Sequence, residues 1–336
     1  MKALVLIGGF GTRLRPVTYS VPKQLIPIAG KPMLYHVLDL LPPGIEEAVL
    51  ATGYKADEIA RYVTEHPPKV PVRTVAESEP LGTGGGMRNA GGGMSDPFLL
   101  LNSDVIAGFD VPTLLARQAD HGGVGTMTLV EVEDPTPYGV AELDADDRIR
   151  RFVEKPKREE APSRWINAGL SVWKREVLER IPDRAPVSWE QEVVPELLPE
   201  GVYAYRATGF WEDAGTPERL LRAQRYLFEA GRGGRRTVPN GTTGKGPVAV
   251  DPSASVEGAT FGGSVTISAH VTVGAGAYLE DSVILERATV EAGASVAHSI
   301  VGPRARVRAG HRVSHQVLGE AAVACKRVPT PRMRDR

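Results

Sequence analysis

The residues best suited to chemistry lie near the start of the chain, where the apolar run of residues 3–7 leads directly into Gly8-Gly9-Phe10-Gly11-Thr12-Arg13-Leu14-Arg15-Pro16. Its glycines let backbone N–H groups approach an anion without an intervening side chain, and its threonine adds a hydroxyl donor. The guanidinium groups of Arg13 and Arg15 bring fixed positive charge and bidentate donors. Lys23 follows as a further cation. The pattern predicts a cradle for phosphate groups.

Two familiar nucleotide-binding loops fit this stretch poorly. The dinucleotide pattern needs a third glycine where Leu14 stands and a helix that continues from it, whereas Pro16 and Pro22 keep the region irregular. The P-loop pattern needs a lysine followed by serine or threonine, and the order here is Gly-Thr-Arg. A simple tight turn is the remaining alternative. The three basic side chains favour phosphate binding over that turn.

Two aspartates are candidates for binding a metal ion. Asp104 follows the apolar strand candidate Phe98–Asn102, and a carboxylate at the carboxyl end of a parallel strand can hold a Mg²⁺ ion that bridges phosphates. Asp213 lies just before a helix that Pro217 could open. Each aspartate also has a structural interpretation, because aspartate is common at helix caps and in turns.

A second glycine-rich run, Leu81-Gly82-Thr83-Gly84-Gly85-Gly86, follows the third strand candidate. As a loop it would expose backbone donors and acceptors that read the edge of a flat base, or it would be a flexible surface loop. Three later segments carry polar groups that can hydrogen-bond sugar hydroxyls: Tyr138-Gly139-Val140, Phe152-Val153-Glu154-Lys155-Pro156 and Ile166-Asn167-Ala168-Gly169. Lys155 in the second of them could balance a phosphate. Each segment could also be a turn at the end of a strand.

Strand-like and helix-like runs alternate up to about residue 230. This alternation predicts an α/β domain over residues 1–230 with a Rossmann-like, mixed and mostly parallel sheet. Its predicted strands are Lys2–Ile7, Glu47–Thr52, 70–76 and Phe98–Asn102. One predicted helix begins near Pro32, and another covers residues 56–63. The glycine-rich residues 231–247 form a predicted linker, and a basic tail covers residues 321–336.

Between linker and tail, aliphatic residues recur every six positions, with one position deleted at each third step. Corresponding members are 17 residues apart, and eleven of the following twelve are aliphatic: Val250, Val256, Gly262, Ile267, Val273, Leu279, Ile284, Val290, Val296, Val301, Val307 and Val313. This rhythm predicts a left-handed parallel β-helix of hexapeptide repeats over residues 248–320, rather than a sandwich. Its histidines could serve an acyltransferase, but a stacking or oligomerising module is favoured: His270, His298, His311 and His315.

Composition restricts the possible partners and location. The 336 residues carry a formal net charge of −1, which gives no support for binding a nucleic-acid polymer or a membrane surface. The single cysteine, Cys325, excludes an intrachain disulfide and favours a reducing compartment. The first residues do not form a signal peptide, and no apolar run is long enough to span a bilayer. We therefore expect a cytoplasmic protein whose partners are small molecules.

In their order along the chain, these segments resemble the sugar-1-phosphate nucleotidyltransferases, and the resemblance covers essentially the whole sequence. The Gly-Gly-x-Gly-Thr-Arg-Leu-Arg-Pro start with Pro22-Lys23 is the family's specific signature. Further segments recur in the family order, namely Leu81-Gly82-Thr83, Leu101-Asn102-Ser103-Asp104, the segments around Lys155 and Asn167, and Trp211-Glu212-Asp213-Ala214-Gly215-Thr216-Pro217. The hexapeptide solenoid is also similar to that of many members.

The resemblance implies a reaction in which a phosphate oxygen of a sugar 1-phosphate attacks the α-phosphorus of a nucleoside triphosphate and pyrophosphate leaves. Catalysis would then consist of positioning and charge neutralisation. By the family's motif, Arg13 and Lys23 are catalytic and Asp104 and Asp213 bind Mg²⁺. The nucleotide contacts would be Gly8, Gly9, Gly11, Thr12, Leu81, Gly82 and Thr83. The sugar-phosphate contacts would be Tyr138, Gly139, Glu154, Lys155, Asn167 and Gly169.

Within the family, the segment Leu101–Asp104, the stretch of residues 188–195 and Gly209–Asp213 are most like the members that make GDP-mannose from GTP and mannose 1-phosphate. Gln24 departs from that group and is more reminiscent of enzymes that make deoxythymidine or uridine diphosphoglucose, which is the alternative substrate pair. A noncatalytic sensor of nucleotide sugars is an alternative of another class, which the intact motif disfavours. The solenoid predicts a homo-oligomer.

Overall fold

The structure is a computed structural model that describes residues 1–233, 242–244 and 246–325. By internal contacts it divides into two units, the first comprising Met1–Phe10, Pro22–Leu25 and Pro32–Ala214 and the second comprising Gly11–Val21, Ile26–Lys31 and Gly215–Arg336. The helices of the described residues are α1 (Met33–Leu38), α2 (Ala56–Glu65), α3 (Gly82–Ala90), α4 (Val111–His121), α5 (Val194–Leu197) and α6 (Pro217–Glu229). None of them is long and apolar enough to cross a bilayer.

The strands as far as residue 213 are β1 (Lys2–Ile7), β2 (Pro27–Ile28), β3 (Lys31–Pro32), β4 (Glu47–Thr52), β5 (Val72–Ala76), β6 (Phe98–Asn102), β7 (Val105–Ala107), β8 (Gly125–Glu131), β9 (Gly139–Leu143), β10 (Ile149–Glu154), β11 (Trp165–Trp173), β12 (Val202–Arg206) and β13 (Trp211–Asp213). The first unit is built on a mixed nine-stranded sheet in the order β10-β9-β11-β6-β1-β4-β5, with β8 beside β11 and β12 beside β8.

The central strands β6, β1, β4 and β5 run parallel to one another. In β1, β4 and β6 the side chains are almost all buried, which explains their continuous apolar runs. Strand β11 is antiparallel to β6 and to β8, so the sheet is mixed as predicted. The carboxyl ends of the parallel strands meet at one edge, which is where open α/β sheets bind ligands.

Three predicted strands match β1, β4 and β6 residue for residue, whereas β5 begins at Val72 rather than at residue 70. The helix expected after Pro32 forms as α1 but ends at Leu38. Prolines at positions 42 and 43 explain the short helix, because a residue before proline avoids helical geometry.

We expected the second glycine-rich run to be a loop, and this prediction was wrong. Its residues form the first turns of α3. Each glycine inside a helix costs about 1 kcal/mol relative to alanine, so tertiary contacts must offset the poor propensity. Here the backbone N–H of Gly84 donates to the carbonyl of Val187 at 2.9 Å, and a Cβ at Gly84 would lie 3.0 Å from the Val187 side chain. Glycine therefore permits a close approach between α3 and the segment at Val187.

The second unit contains a solenoid of short strands. These strands are β14 (Thr243–Gly244), β15 (Val248–Val250), β16 (Ser255–Val256), β17 (Thr260–Ile267), β18 (Thr272–Val273), β19 (Tyr278–Ile284), β20 (Thr289–Val290), β21 (Ser295–Ala297), β22 (Ile300–Val301), β23 (Arg306–Val307), β24 (Arg312–Ser314), β25 (Val317–Leu318) and β26 (Val323–Ala324). Each pairs in parallel with the equivalent strand of the next coil, which confirms the predicted β-helix.

One position of the predicted repeat was wrong. Leu279 pairs with Phe261, not with the predicted Gly262, because the ladder between β17 and β19 shifts register between Gly262 and Val265. Phe261 is buried in the solenoid core, so this coil also presents a large apolar side chain at the position.

The contacts divide the chain differently from the predicted domains. Helix α6, which falls within the predicted first domain of residues 1–230, packs in the second unit against β17 and β19. Strand β14 lies within the predicted linker and pairs with β17, and β26 extends the coils beyond the predicted end at residue 320. The linker residues 234–241 and 245 and the tail residues 326–336 lie outside the described part of the chain.

Candidate active site

A cleft of about 680 Å³ opens at the carboxyl edge of the parallel strands in the first unit. The residues that follow four neighbouring strands contribute to its wall: Ile7 to Phe10 after β1, Thr52 to Tyr54 after β4, Glu77 to Pro80 after β5, and Asn102 to Asp104 at the end of β6. Lys23, residues of α3, Lys155 and Glu190 also line the cleft. The sheet therefore gathers segments that are far apart in the sequence.

The Lys23 ammonium group forms an ion pair with the Asp104 carboxylate inside this cleft. Lys23 stands at the start of a short 3₁₀ turn, Lys23–Leu25, and its neighbour Gln24 is almost fully buried. The Gln24 amide donates to the Ser103 hydroxyl at 3.2 Å. Gln24 thus connects the turn of Lys23 to the segment of Asp104.

Asp104 and Asp213 lie on adjacent chain segments. Asp104 precedes β7, which pairs antiparallel with β13 so that Val105 is opposite Asp213. The Ala214 amide donates to the Asp104 carbonyl oxygen at 2.9 Å. Asp104 lines the cleft, whereas Asp213 is not among the lining residues. Mg²⁺ in nucleotide sites usually takes one or two carboxylates together with phosphate oxygens and water, and Asp104 supplies one carboxylate of this kind in the cleft.

Thr83 and Glu190 form a polar contact in the cleft. The Thr83 hydroxyl donates to a Glu190 carboxylate oxygen at 2.7 Å and accepts the Trp189 amide at 2.9 Å. Burial raises the pKa of Glu190 above its usual range, the negative charge of Glu154 raises it further, and the Thr83 hydrogen bond and Lys155 oppose the shift. Glu190 lies in the stretch Trp189–Val193, whose start is capped by the Ser188 hydroxyl.

Lys155 brings a second ammonium group to the cleft and is 2.9 Å from the Glu154 carboxylate. Glu154 ends β10 opposite Gly139 of β9. A Cβ at Gly139 would lie 2.3 Å from the Phe152 ring and 2.7 Å from the Glu154 carboxylate, so any other residue there would force these side chains to move. Gly139 therefore permits the local geometry, although neither it nor Glu154 lines the cleft.

Asn167 and Gly169 lie at a register shift in β11, where the Asn167 side chain accepts the Gly169 amide at 3.0 Å. Gly169 has a φ of +75°, and a Cβ there would lie 2.9 Å from the Asn102 amide nitrogen. Asn102 lines the cleft while Asn167 and Gly169 do not. These two residues shape the strand beside Asn102.

Seven of the seventeen predicted site residues line the cleft, namely Gly8, Gly9, Lys23, Gly82, Thr83, Asp104 and Lys155. Leu81 and Tyr138 lie outside the lining, and Tyr138 packs edge-on against Trp211 with ring centroids 5.2 Å apart. Gly11, Thr12 and Arg13 belong by contacts to the second unit.

Sequence reasoning missed several cleft residues, among them Phe10, Tyr54, Glu77, Asn89 and Glu190. Phe10 is 54% exposed and packs against Tyr54 with ring centroids 5.2 Å apart. Glu77 was visible only as a charge before the second glycine-rich run. Its carboxylate accepts the Leu81 amide at 3.1 Å and lies where a Cβ on Gly53 would be 2.3 Å away. Gly53 thus leaves room for this carboxylate.

A mixed α/β sheet whose strand ends hold a cation, carboxylates and glycine-rich segments is the arrangement of a nucleotide-binding enzyme. A family model described as nucleotidyl transferase matches residues 2–229, and one described as the GMPPB C-terminal domain matches residues 244–329. The chain belongs to the nucleotidyl transferase family. It is an enzyme that transfers a nucleotidyl group from a nucleoside triphosphate to a sugar 1-phosphate, as its motifs predicted.

Relatives support the same class along most of the chain. The catalytic subunit beta of mannose-1-phosphate guanylyltransferase from Drosophila pseudoobscura pseudoobscura is 39% identical over 265 residues, which cover 76% of this chain and 70% of the relative. Mannose-1-phosphate guanylyltransferase from Mycobacterium tuberculosis is 38% identical over 274 residues, which cover 77% of this chain and 74% of the relative.

A solved structure of HddC from Yersinia pseudotuberculosis in complex with GMP-PN is similar in fold, with a TM-score of 0.57 and 28% identity. The match covers 67% of this chain and 99% of that chain. A UDP-glucose pyrophosphorylase in complex with UDP-glucose has a TM-score of 0.59 at 20% identity, covers 68% of this chain and 98% of its own, and shows the shared fold alone.

Proposed function

We propose that this enzyme transfers the guanylyl group of GTP to mannose 1-phosphate, forming GDP-mannose and pyrophosphate. The observation that carries the proposal is the Lys23–Asp104 ion pair in a cleft at the carboxyl edge of the sheet, where phosphate groups of a nucleotide would lie. The names of the relatives supply the two substrates.

In the proposed reaction, an oxygen of the mannose 1-phosphate attacks the α-phosphorus of GTP, and the bond to the departing pyrophosphate breaks. Both reactants are anionic, so negative charge accumulates between them. Lys23 and Lys155 would offset this charge from the cleft, and Arg13 would bind the triphosphate. Asp104 and Asp213 would hold Mg²⁺, which supplies further neutralisation of the phosphates when bound.

Glu77 gives guanine recognition a chemical basis. A carboxylate can accept two hydrogen bonds from the N1–H and exocyclic amino group of guanine, whereas the imide edge of uracil or thymine presents one N–H between two carbonyl oxygens. The Glu77 carboxylate lines the cleft beside the start of α3. We therefore assign it to the base, with the start of α3 beside it.

A substrate panel tests the proposal. GTP, dTTP and UTP are each combined with mannose 1-phosphate or glucose 1-phosphate, with and without Mg²⁺, and pyrophosphate release is measured. We expect the highest kcat/KM for GTP with mannose 1-phosphate, and release only when Mg²⁺ is present. Faster turnover of dTTP or UTP with glucose 1-phosphate would transfer the assignment to that pair. A cytoplasmic location and self-association through the solenoid stay predictions.

A further inference from the structure

The signature segment of the chain is built into the second unit rather than lying as an open loop. Gly11–Val21, which carries Arg13, and Ile26–Lys31, which follows directly after the turn of Lys23, both belong by contacts to the unit of the solenoid. Leu14 and Val17 in the first segment are fully buried. Arg13 is thus part of a segment that is packed in the unit of the solenoid.

A buried side-chain amide, that of Gln224, links the second of these segments, Ile26–Lys31, to the solenoid. The side chain of Gln224 on α6 has no exposed surface. Its amide nitrogen donates to the Ser264 carbonyl at 2.9 Å, and its amide oxygen accepts the Thr266 hydroxyl at 2.6 Å. The same oxygen lies 3.4 Å from the backbone nitrogen of Ala29, and the amide nitrogen lies 3.4 Å from the Ser282 carbonyl on the next coil.

The first segment meets a coil near the other end of the described solenoid. A Cβ built on Gly319 would lie 3.2 Å from both Cβ and Cγ of Pro16, and its other near neighbour is the Pro16 carbonyl oxygen at 4.0 Å. Gly319 does not have a positive φ, so the backbone conformation does not require glycine. A side chain at Gly319 would therefore press on Pro16, which directly follows Arg15 and lies three residues after Arg13.

We propose that the solenoid unit positions the phosphate-binding segment Gly11–Val21, with Gly319 as the positioning residue for Arg13 and with Gln224 holding the segment Ile26–Lys31 of the same unit. The proposal rests on the catalytic roles assigned above. A glycine-rich segment has many conformations, and transition-state stabilisation depends on groups that are already in place. Contacts to two separate coils would restrict those conformations, so a change more than 300 residues along the chain from Arg13 should alter the chemical step.

Gly319→Ala and Gly319→Val test this inference, because their side chains must displace Pro16 by tenths of an ångström or more. Since a misplacement of 1 Å can cost about 100-fold in rate, we expect kcat to fall about fivefold for the alanine variant and about 100-fold for the valine variant. Gly92→Ala is the matched control, because a Cβ there meets nothing within 4 Å and Gly92 also lacks a positive φ. It should keep the kcat of the parent.

Hydrogen exchange supplies a readout that does not depend on turnover. We expect faster amide exchange in residues 11–21 of the Gly319 variants, with unchanged exchange in the strands β18, β20 and β23 of the solenoid. Kinetics are measured with whichever substrate pair the parent turns over, so failure of the GTP and mannose assignment leaves the comparison intact. Folded Gly319→Ala and Gly319→Val proteins with the kcat and the exchange of the parent would overturn the inference. If the valine variant does not fold, the alanine variant decides.

Discussion

At the scale of single residues, Asp104 has the most direct consequence for catalysis. Asp104→Asn keeps the shape of the side chain but removes the charge that pairs with Lys23 and that we assign to Mg²⁺. We expect kcat to fall at least about 100-fold and the Mg²⁺ concentration for half-maximal rate to rise. Both are measured by pyrophosphate release across a Mg²⁺ titration. The exposed Asp120 on α4 provides the control Asp120→Asn, and an unchanged rate in Asp104→Asn would remove the metal assignment.

Glu77→Gln tests base recognition. An amide can donate to a carbonyl oxygen of uracil or thymine, but it loses one of the two hydrogen bonds that a carboxylate accepts from guanine. We expect the ratio of kcat/KM for GTP to that for UTP to fall about 10- to 100-fold, in line with the loss of about 1–3 kcal/mol for a misplaced polar contact. The control is Glu79→Gln, a carboxylate two residues away in the same wall. If that variant changes the ratio instead, the assignment of Glu77 is wrong.

Glu190 makes stability depend on pH. Its pKa is raised in the folded protein, mainly by burial, so the folded state binds the proton more tightly than the unfolded chain does. This contribution to stability is complete below the ordinary glutamate pKa and is lost as pH rises through the raised value. Thermal melting should therefore show Glu190→Gln gaining stability relative to the parent between acidic and neutral pH. A difference that is constant with pH would contradict this ionisation.

At the scale of elements, the amide of Gln224 should contribute strongly to the stability of the second unit. Gln224→Met keeps a side chain of similar length but leaves the Ser264 carbonyl and the Thr266 hydroxyl without that buried partner. Each such loss costs about 1–3 kcal/mol, so we expect the free energy of unfolding to fall by about 2–5 kcal/mol. Urea unfolding followed by circular dichroism measures it. The exposed Arg222→Met on the same helix is the control, and equal stability of the two variants would refute the role of the amide.

The elements also show what could be predicted from the sequence. Strands β1, β4 and β6 were located to the residue because buried parallel strands need continuous apolar runs. Helix α3 was missed because its glycines have poor helix propensity, and the contact with Val187 that offsets this comes from a segment about 100 residues away. Local sequence patterns predict which strands are buried and where turns occur, but they do not predict contacts between segments that are far apart in the sequence.

The difference between local patterns and long-range packing also explains which residues of the candidate site were predicted. Lys23, Asp104 and Lys155 were predicted from their charges and their places along the chain as well as from the family motif, and all three line the cleft. Glu77 and Glu190 were missed, since a glutamate gains its role there only from the segments packed around it. The cluster of Glu280, Asp281 and His298 has side chains of the types that bind metal ions. Because Asp281 already accepts hydrogen bonds from Ser264 and Arg225, we interpret the cluster as an ion-pair network and not as a metal site.

At the scale of the whole molecule, the last described coil predicts self-association. Strands β24, β25 and β26 pair with the preceding coil, and in the described part of the chain no strand covers their other side. Open strand edges are templates for pairing with another copy. Val323 in this coil is 52% exposed, which adds apolar surface beside those edges. These features favour a dimer formed through the carboxyl-terminal end of the solenoid.

Val323→Glu would place like charges against each other in such a dimer, and we expect the dissociation constant to rise at least about tenfold, which corresponds to about 1.4 kcal/mol. Light scattering coupled to size exclusion over a range of protein concentrations measures this change. The control is Thr272→Glu, which adds the same charge to the exposed side of β18, away from the open coil. A parent protein that is monomeric at every concentration would disprove self-association. If Val323→Glu instead keeps the oligomeric mass of the parent, the interface lies on another surface, because an interface through the end coil would be weakened by two facing carboxylates.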